Sequence, residues 1–175
     1  MVARSTQPEP GNPAAVAMRV EGIASIVQRD GMFRLSSAQD SWPMLVPQHL
    51  LGASSAVQHG SRVTAALQFT FRAMPAGYDE NAAGEKRSAP QPLFEASASF
   101  QLTYELDSDE PASASDLAAF AQVNGNLNAV PYWREFLHNV LVRAGLPPFE
   151  VPVFNPMKMA LRAAAEESDP QKGNN

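Results

Sequence analysis

The clearest pattern in the chain is a strict alternation of apolar and polar residues in two stretches, 62–72 and 94–106. Every second residue there is apolar, which is the spacing of side chains on one face of a β-strand. The apolar positions are Val63, Ala65, Leu67, Phe69 and Phe71, then Phe94, Ala96, Ala98, Phe100, Leu102, Tyr104 and Leu106. Two successive strands, each with one polar face, indicate an antiparallel sheet.

Weaker strand signals precede these two stretches. Residues 18–28 alternate imperfectly, which predicts a strand with a bulge or an irregular edge. Residues 29–31 (Arg-Asp-Gly) have the composition of a turn, after which residues 32–35 continue in extended form. Residues 37–60 contain two prolines and two glycines and predict a long connection. A second, polar connection is predicted over residues 74–92.

The hydrophobic period changes to that of a helix after Pro131. Apolar residues recur there at i, i+3, i+4, i+7, i+8 and i+11, namely at Trp133, Phe136, Leu137, Val140, Leu141 and Ala144. Proline suits the first helical position, and Gly145 followed by Pro147 suits a helix end. The sequence therefore predicts an amphipathic helix that begins at Pro131 and ends at Gly145.

Shorter elements surround this helix. Residues 113–116 resemble a capping sequence for a short helix over residues 117–121, and residues 124–128 are predicted to be a linker. Prolines keep residues 149–154 extended, and a last short helix is predicted over residues 157–165. Strands followed by helices predict an α+β fold, an antiparallel sheet with C-terminal helices packed on one face.

Length and composition favour one domain. The 175 residues suit a single domain over residues 18–165. Residues 1–17 are rich in Pro, Gln, Ser and Ala and predict a disordered N-terminal arm, and residues 166–175 predict a flexible polar tail.

Net charge and the lack of cysteine limit the classes of partner and the cellular compartment that we expect for this protein. The net charge of −5 argues against general nucleic-acid binding. No apolar run approaches the roughly 20 residues that a membrane span needs. The absence of cysteine excludes disulfides and thiolate chemistry and fits a reducing compartment, so a cytoplasmic protein is expected.

Motifs of catalysis are absent from the sequence. His49, His59 and His138 lack the spacing of metal ligands, so no metal site is predicted, and a solvated ring is expected for His138. There is no nucleophile elbow, phosphate-binding loop or dinucleotide fingerprint. The sequence therefore favours a protein that is not an enzyme and that needs no cofactor.

Large apolar residues stand outside the predicted elements, in the connection before the first clear strand and after the long helix. We expect the walls of a site among Trp42, Leu45, Leu50, Phe149, Val151 and Phe154. One interpretation is that these residues close the core or an oligomer interface. The other is a groove for extended polypeptide, with apolar pockets for alternate side chains and sheet edges for main-chain hydrogen bonds.

The segment around the long helix resembles the SecB protein-export chaperones. In that family a Pro-Tyr-x-Arg-Glu segment opens the helix, and a Gly-x-Pro end leads into a Pro-Val-Asn-Phe motif. The positions that carry the resemblance are Pro131, Tyr132, Arg134, Glu135, Gly145, Pro147 and Pro152. Here the last motif reads Pro-Val-Phe-Asn, and the N-terminal arm and the 74–92 connection are longer than the family pattern.

The resemblance implies an α+β subunit that assembles as a dimer of dimers. Such proteins bind unfolded or nascent polypeptides without ATP, keep them competent for export, and deliver them to the SecA motor through an acidic sheet face. The polar strand faces here carry Arg62 and Arg72 beside Glu95 and Glu105. SecB-like proteins also include chaperones dedicated to one partner, such as an antitoxin. A structural subunit with closed grooves is the remaining alternative.

Overall fold

A computed structural model describes residues 10–36, 46–75 and 91–156 of the chain. Within these ranges the elements, in chain order, are α1 (Pro13–Ala17), β1 (Val20–Leu35), β2 (Val46–His59), β3 (Arg62–Met74), β4 (Phe94–Leu106), α2 (Ala114–Phe120), a π-helical segment (Ala121–Gly125) and α3 (Asn126–Arg143). The predicted helix over residues 157–165 and the polar tail lie outside the described residues. None of the described helices is long and apolar enough to cross a membrane.

The four described strands form one antiparallel sheet in the order β1-β4-β3-β2. The apolar side chains of β3 and β4 that alternate in the sequence are all buried, at 4% exposure or less. They face the helical layer, where Phe69 stacks on Trp133 at 5.6 Å between ring centroids. The predicted α+β fold, with helices on one face of an antiparallel sheet, is confirmed.

The first strand is longer than the sequence predicts. β1 is continuous over 16 residues, so the predicted turn at residues 29–31 is wrong. The pairing with β4 shifts register between Gln28 and Asp30, which shows that the local irregularity is a bulge and not a turn. Gly31 instead lets the ring of Phe136 approach the strand closely, since a Cβ at this position would lie 2.7 Å from that ring.

The connection predicted over residues 37–60 is wrong from Val46 onward, because β2 occupies Val46–His59. The residues that indicated a connection are compatible with an edge strand. Pro47 lies near the start of β2, where one missing ladder hydrogen bond is tolerated. Gly52 falls within the register shift between Leu51 and Ser54. Residues 37–45 lie outside the described ranges.

The helical run begins earlier than predicted. The linker expected over residues 124–128 is helical, so Pro131 lies inside α3 and not at its first position. The buried side chain of Asn126 donates a hydrogen bond to the Gln122 carbonyl at 2.7 Å, within the wide turn of the π segment. Gly125 packs against Leu67. Pro131 is exposed, so water can reach the helix where the proline N–H is missing.

The predicted helix end is confirmed. Gly145 takes a left-handed conformation with φ of 70°. The Gly145 N–H donates to the Val142 carbonyl at 3.1 Å, and the Leu146 N–H donates to the Leu141 carbonyl at 2.9 Å. This pair of bonds is a Schellman motif, and the buried Leu146 completes it with an apolar contact.

The predicted disordered arm over residues 1–17 is wrong for Pro13–Ala17, which form α1 with Val16 fully buried. The Asn12 N–H donates to Asp116 Oδ1 at 2.7 Å, and this bond ties the start of α1 to the start of α2. The predicted capping of α2 is confirmed, because Ser113 Oγ accepts from the Asp116 N–H at 3.1 Å. Residues 1–9 lie outside the described ranges.

Candidate functional site

A groove of about 370 Å³ lies between α3 and the extended segment that follows it. We call it the α3 groove; its lining residues are Arg134, His138, Phe149, Glu150, Val151 and Val153. Its polar groups come mainly from the helix, and its apolar surface comes from the segment. Val153 is 79% exposed, so the groove presents an apolar side chain to solvent.

The segment of residues 147–153 is held in place by both its main chain and its side chains. Prolines 147, 148 and 152 keep it from continuing the helix. Arg134 Nη2 donates a hydrogen bond to the Val151 carbonyl at 2.9 Å. The ring of Phe149 lies 4.7 Å from that of Phe71, and Val151 is 6% exposed. The wall of the groove is therefore anchored to both α3 and β3.

Behind the groove, Trp133 connects α3 to the edge strand β2. Its indole is fully buried, and Nε1 donates a hydrogen bond to His49 Nε2 at 2.8 Å. The His49 and Trp133 rings are nearly coplanar, with an interplanar angle of 23° and centroids 6.1 Å apart, as an in-plane N–H···N bond requires. Because the indole N–H is only a donor, this bond requires a neutral His49 with a free lone pair on Nε2.

The surroundings of His49 favour that neutral form. Burial lowers the pKa of His49 below its ordinary value of 6.5, and the positive charge of Arg134 lowers it further. His49 is thus an acceptor for Trp133 at neutral pH. It occupies a position on β2 that pairs with Phe71 of β3, which places it on the sheet face covered by helices.

The structure brings together only some of the predicted wall residues. Phe149 and Val151 line the α3 groove, and Phe154 packs against the core as a partly buried residue. Leu50 pairs with Thr70, on the sheet face opposite the helices, so it cannot share this groove. Trp42 and Leu45 lie outside the described residues.

The residues that carry the family resemblance divide between the two sides of α3. Arg134 lines the α3 groove, whereas Tyr132 and Glu135 line a second groove of about 260 Å³ on the β1 side. That second groove is completed by Ile26, Gln28, Phe100, Phe136, Asn139, Val140 and Arg143. Gly145 and Pro147 end the helix, and Pro152 is an exposed residue of the extended segment.

His49 and Val153 are absent from the predicted wall residues. His49 had a usable signal, because recognising β2 as a strand would have placed it on the face opposite its neighbours Gln48 and Leu50. Val153 also had a signal, because it continues the alternation of Phe149 and Val151 among the apolar residues after the long helix. Within the described ranges, no three His, Cys, Asp or Glu side chains cluster closely enough to hold a metal ion.

The sheet face opposite the helices carries charges of both signs. Arg62 Nη2 lies 3.3 Å from Glu105 Oε1, and Arg72 Nη2 lies 3.4 Å from Glu95 Oε1. Each pair joins directly opposed residues of β3 and β4. Both carboxylates of β4 on this face are therefore neutralised locally by arginines of the neighbouring strand.

The fold is that of a SecB-like chaperone. The chain is similar to the solved structure of the Mycobacterium tuberculosis Rv1957 SecB-like chaperone in complex with a ChAD peptide from the Rv1956 HigA1 antitoxin. The TM-score is 0.64 at 17% sequence identity, and the match covers 81% of this chain and 96% of that chain. No protein-family model matches the sequence, and no curated protein matches it.

Proposed function

We propose that this protein is an ATP-independent chaperone that binds extended segments of unfolded or nascent polypeptides, its clients, in the α3 groove. The observation that carries the proposal is an anchored, partly apolar groove beside the long helix of a SecB-like fold. The exposed Val153 and the half-buried Phe149 offer apolar contact, and Arg134, His138 and Glu150 offer polar contact to a main chain.

Hydrophobic capture supplies the binding energy in this mechanism. Each client side chain that leaves water contributes on the order of 1.5–3 kcal/mol. A groove of about 370 Å³ accommodates only one or two such side chains. Tight binding then requires several weak sites along one flexible client, which sum through effective concentration.

Assembly with further copies of the chain supplies more than one groove for each client. β1 is an edge strand whose apolar side chains Ile23, Phe33 and Leu35 are 42%, 47% and 45% exposed. An exposed edge with apolar residues is suited to pairing with another chain. We propose a homo-oligomer, a dimer of dimers, with β1 in one of its interfaces.

A narrower candidate is a chaperone dedicated to one partner, such as an antitoxin. The charge pattern of the sheet favours it, because a basic docking partner such as the SecA motor would need unpaired carboxylates there. Glu95 and Glu105 are instead paired with arginines. The similar M. tuberculosis chaperone binds a peptide from an antitoxin.

A holdase assay tests the proposal. An unfolded reporter protein is diluted into buffer with and without the chaperone, no nucleotide is added, and light scattering reports aggregation. We expect suppression at near-stoichiometric amounts for several unrelated reporters if the protein is a general chaperone. Suppression limited to one antitoxin supports a chaperone dedicated to that partner. No suppression for general reporters or for an antitoxin supports a structural subunit with closed grooves.

Two matched variants locate the site. Val153→Asp places a charge in the α3 groove, whereas Val57→Asp places one on β2, at a position that faces away from the helices. We expect Val153→Asp to raise the amount needed for half-suppression by about tenfold, equivalent to ~1.4 kcal/mol. Val57→Asp is expected to match the wild type. Equal activity of both variants would remove the α3 groove from the mechanism.

A further inference from the structure

Two hydrogen bonds at adjacent residues of α3 connect the edge strand β2 to the wall of the α3 groove. His49 lies on β2, Trp133 lies on α3, and the next residue of α3, Arg134, binds the Val151 carbonyl of the groove wall. The rings of Phe69 and Phe136 stack on Trp133 at 5.6 and 5.8 Å. A change in the charge of His49 therefore acts on the edge strand and on the groove together.

The charged groups around His49 come from two elements. On α3, Arg134 acts electrostatically on His49, and His138 lines the same groove one turn later. On the segment after α3, Glu150 lines the groove with Arg134, but no ion pair joins these two side chains. Phe71, which faces His49 from β3, and its same-face neighbours Phe69 and Ala73 carry no charge.

We propose that the His49–Trp133 contact is an acid-sensitive latch, in which protonation of His49 releases β2 from α3 beside the α3 groove. A protonated ring has no lone pair for the indole N–H, so the bond at 2.8 Å is lost. The new positive charge also repels the guanidinium that holds the Val151 carbonyl. The lost hydrogen bond and the repulsion of Arg134 both weaken the contacts of α3 with its neighbours.

The sign of the pH dependence follows from linkage. In the closed latch, burial and then the charge of Arg134 lower the pKa of His49 below the ordinary value of 6.5. A ring that opening exposes to water returns to that ordinary value. The open form therefore binds more protons in the window below pH 6.5. The latch contributes its full stability above that window and loses it as the pH falls through the lowered pKa. Acid therefore releases β2 from α3, and neutral pH keeps the two joined.

Fluorescence of Trp133 reports whether the His49–Trp133 contact is intact, and it needs no client. A negative result for the latch is therefore distinguishable from a failure of the proposed chaperone function. The chain has only two tryptophans, and Trp42→Phe leaves Trp133 as the single reporter. Emission is followed from pH 8 to pH 5, with far-UV circular dichroism recorded in parallel. His49→Gln removes the titration, and His59→Gln changes an exposed histidine on the opposite sheet face.

We expect a red shift of Trp133 emission with a midpoint below pH 6.5, at unchanged circular dichroism, in the Trp42→Phe protein and in its His59→Gln variant. The shift is expected to disappear in the His49→Gln variant. Three results would overturn the latch: no shift in the Trp42→Phe protein, a shift that persists without His49, or loss of circular dichroism at the same midpoint.

A second measurement applies if the His49→Gln variant does not fold. Proton NMR of the Trp42→Phe protein follows the imidazole C–H resonances and the indole N–H resonance of Trp133 during the same titration. We expect the indole proton to shift or exchange with the midpoint of one histidine. An indole resonance that stays constant while all histidines titrate would contradict the latch.

Discussion

The two edge strands of the sheet, β1 and β2, differ in how they are bonded to and covered by the helical layer. β2 is hydrogen-bonded near its start to the helical layer and near its end to the connection that leads into α2. His49 accepts from Trp133 near the start, and near the end Gln58 accepts from the Ala112 N–H and donates to the Glu110 carbonyl, both at 2.9 Å. β1 has no such bond to a helix among the hydrogen bonds of the described residues: Val20 and Ile26 pack against the core, Gly31 lies under Phe136, and Phe33 is half exposed.

The difference indicates that the helical layer is displaced toward β2. One edge is then covered on its apolar face and carries the α3 groove nearby, while the other edge keeps an apolar face for a further chain. Under the proposed function, clients bind at one side of the sheet and further copies of the chain pair at the other. The predictions below compare residues of the two edges.

The largest effect is expected from Trp133, which couples α3 to β2. Trp133→Ala should lower the free energy of unfolding by about 3–5 kcal/mol, because it removes a fully buried ring and leaves a cavity. Phe33→Ala on β1 should cost about 1 kcal/mol or less within a single chain, where that side chain is half exposed. Urea unfolding at a fixed protein concentration measures both. Similar losses for the two variants would contradict the difference between the edges.

A smaller effect is expected where β1 does contact the helical layer. Gly31→Ala should cost about 1–3 kcal/mol, because the new methyl group would overlap the Phe136 ring. Gly22→Ala is the matched control on the same strand, since a Cβ at Gly22 meets nothing within 4 Å. Thermal unfolding measures the melting temperature of each variant relative to the wild type. An unchanged value for Gly31→Ala would mean that α3 does not approach β1 so closely.

The smallest effect is expected from the glutamines of the two edges. Gln58→Ala should cost about 0.5–1.5 kcal/mol, because it removes bonds to two main-chain groups beyond β4. Gln28→Ala on β1 should be nearly neutral, since its exposed amide makes one long bond, 3.3 Å, to a neighbouring carbonyl. Hydrogen exchange of the Ala112 amide tests the Gln58→Ala variant specifically. Unaltered protection of that amide would argue against its hydrogen bond to Gln58.

Sequence periodicity predicted the parts of the fold that are buried on one face. β3 and β4 are central strands, so their alternation is strict, and the buried stripe of α3 follows from the helical period. The end of α3 was predictable because Gly145 has a local conformational reason to be there.

The edges were harder to predict, because an edge strand tolerates residues that otherwise indicate a connection. Pro47 and Gly52 suggested a loop, although both are compatible with an irregular edge strand. The pair Asn124-Gly125 suggested a linker, although the long helical run accommodates it as a π segment packed on Leu67. Leu50 was assigned to the groove because the face of an unrecognised strand cannot be assigned.

The position of the client is the central claim, and site-specific crosslinking tests it most directly. A photoreactive benzophenone amino acid is introduced at position 153 in the α3 groove, or at position 57 on the opposite sheet face, and each protein is irradiated with an unfolded reporter. We expect a crosslinked client with the probe at position 153 and little or none with the probe at position 57. Crosslinking at position 57 alone, or equally at both positions, would contradict a binding site in the α3 groove.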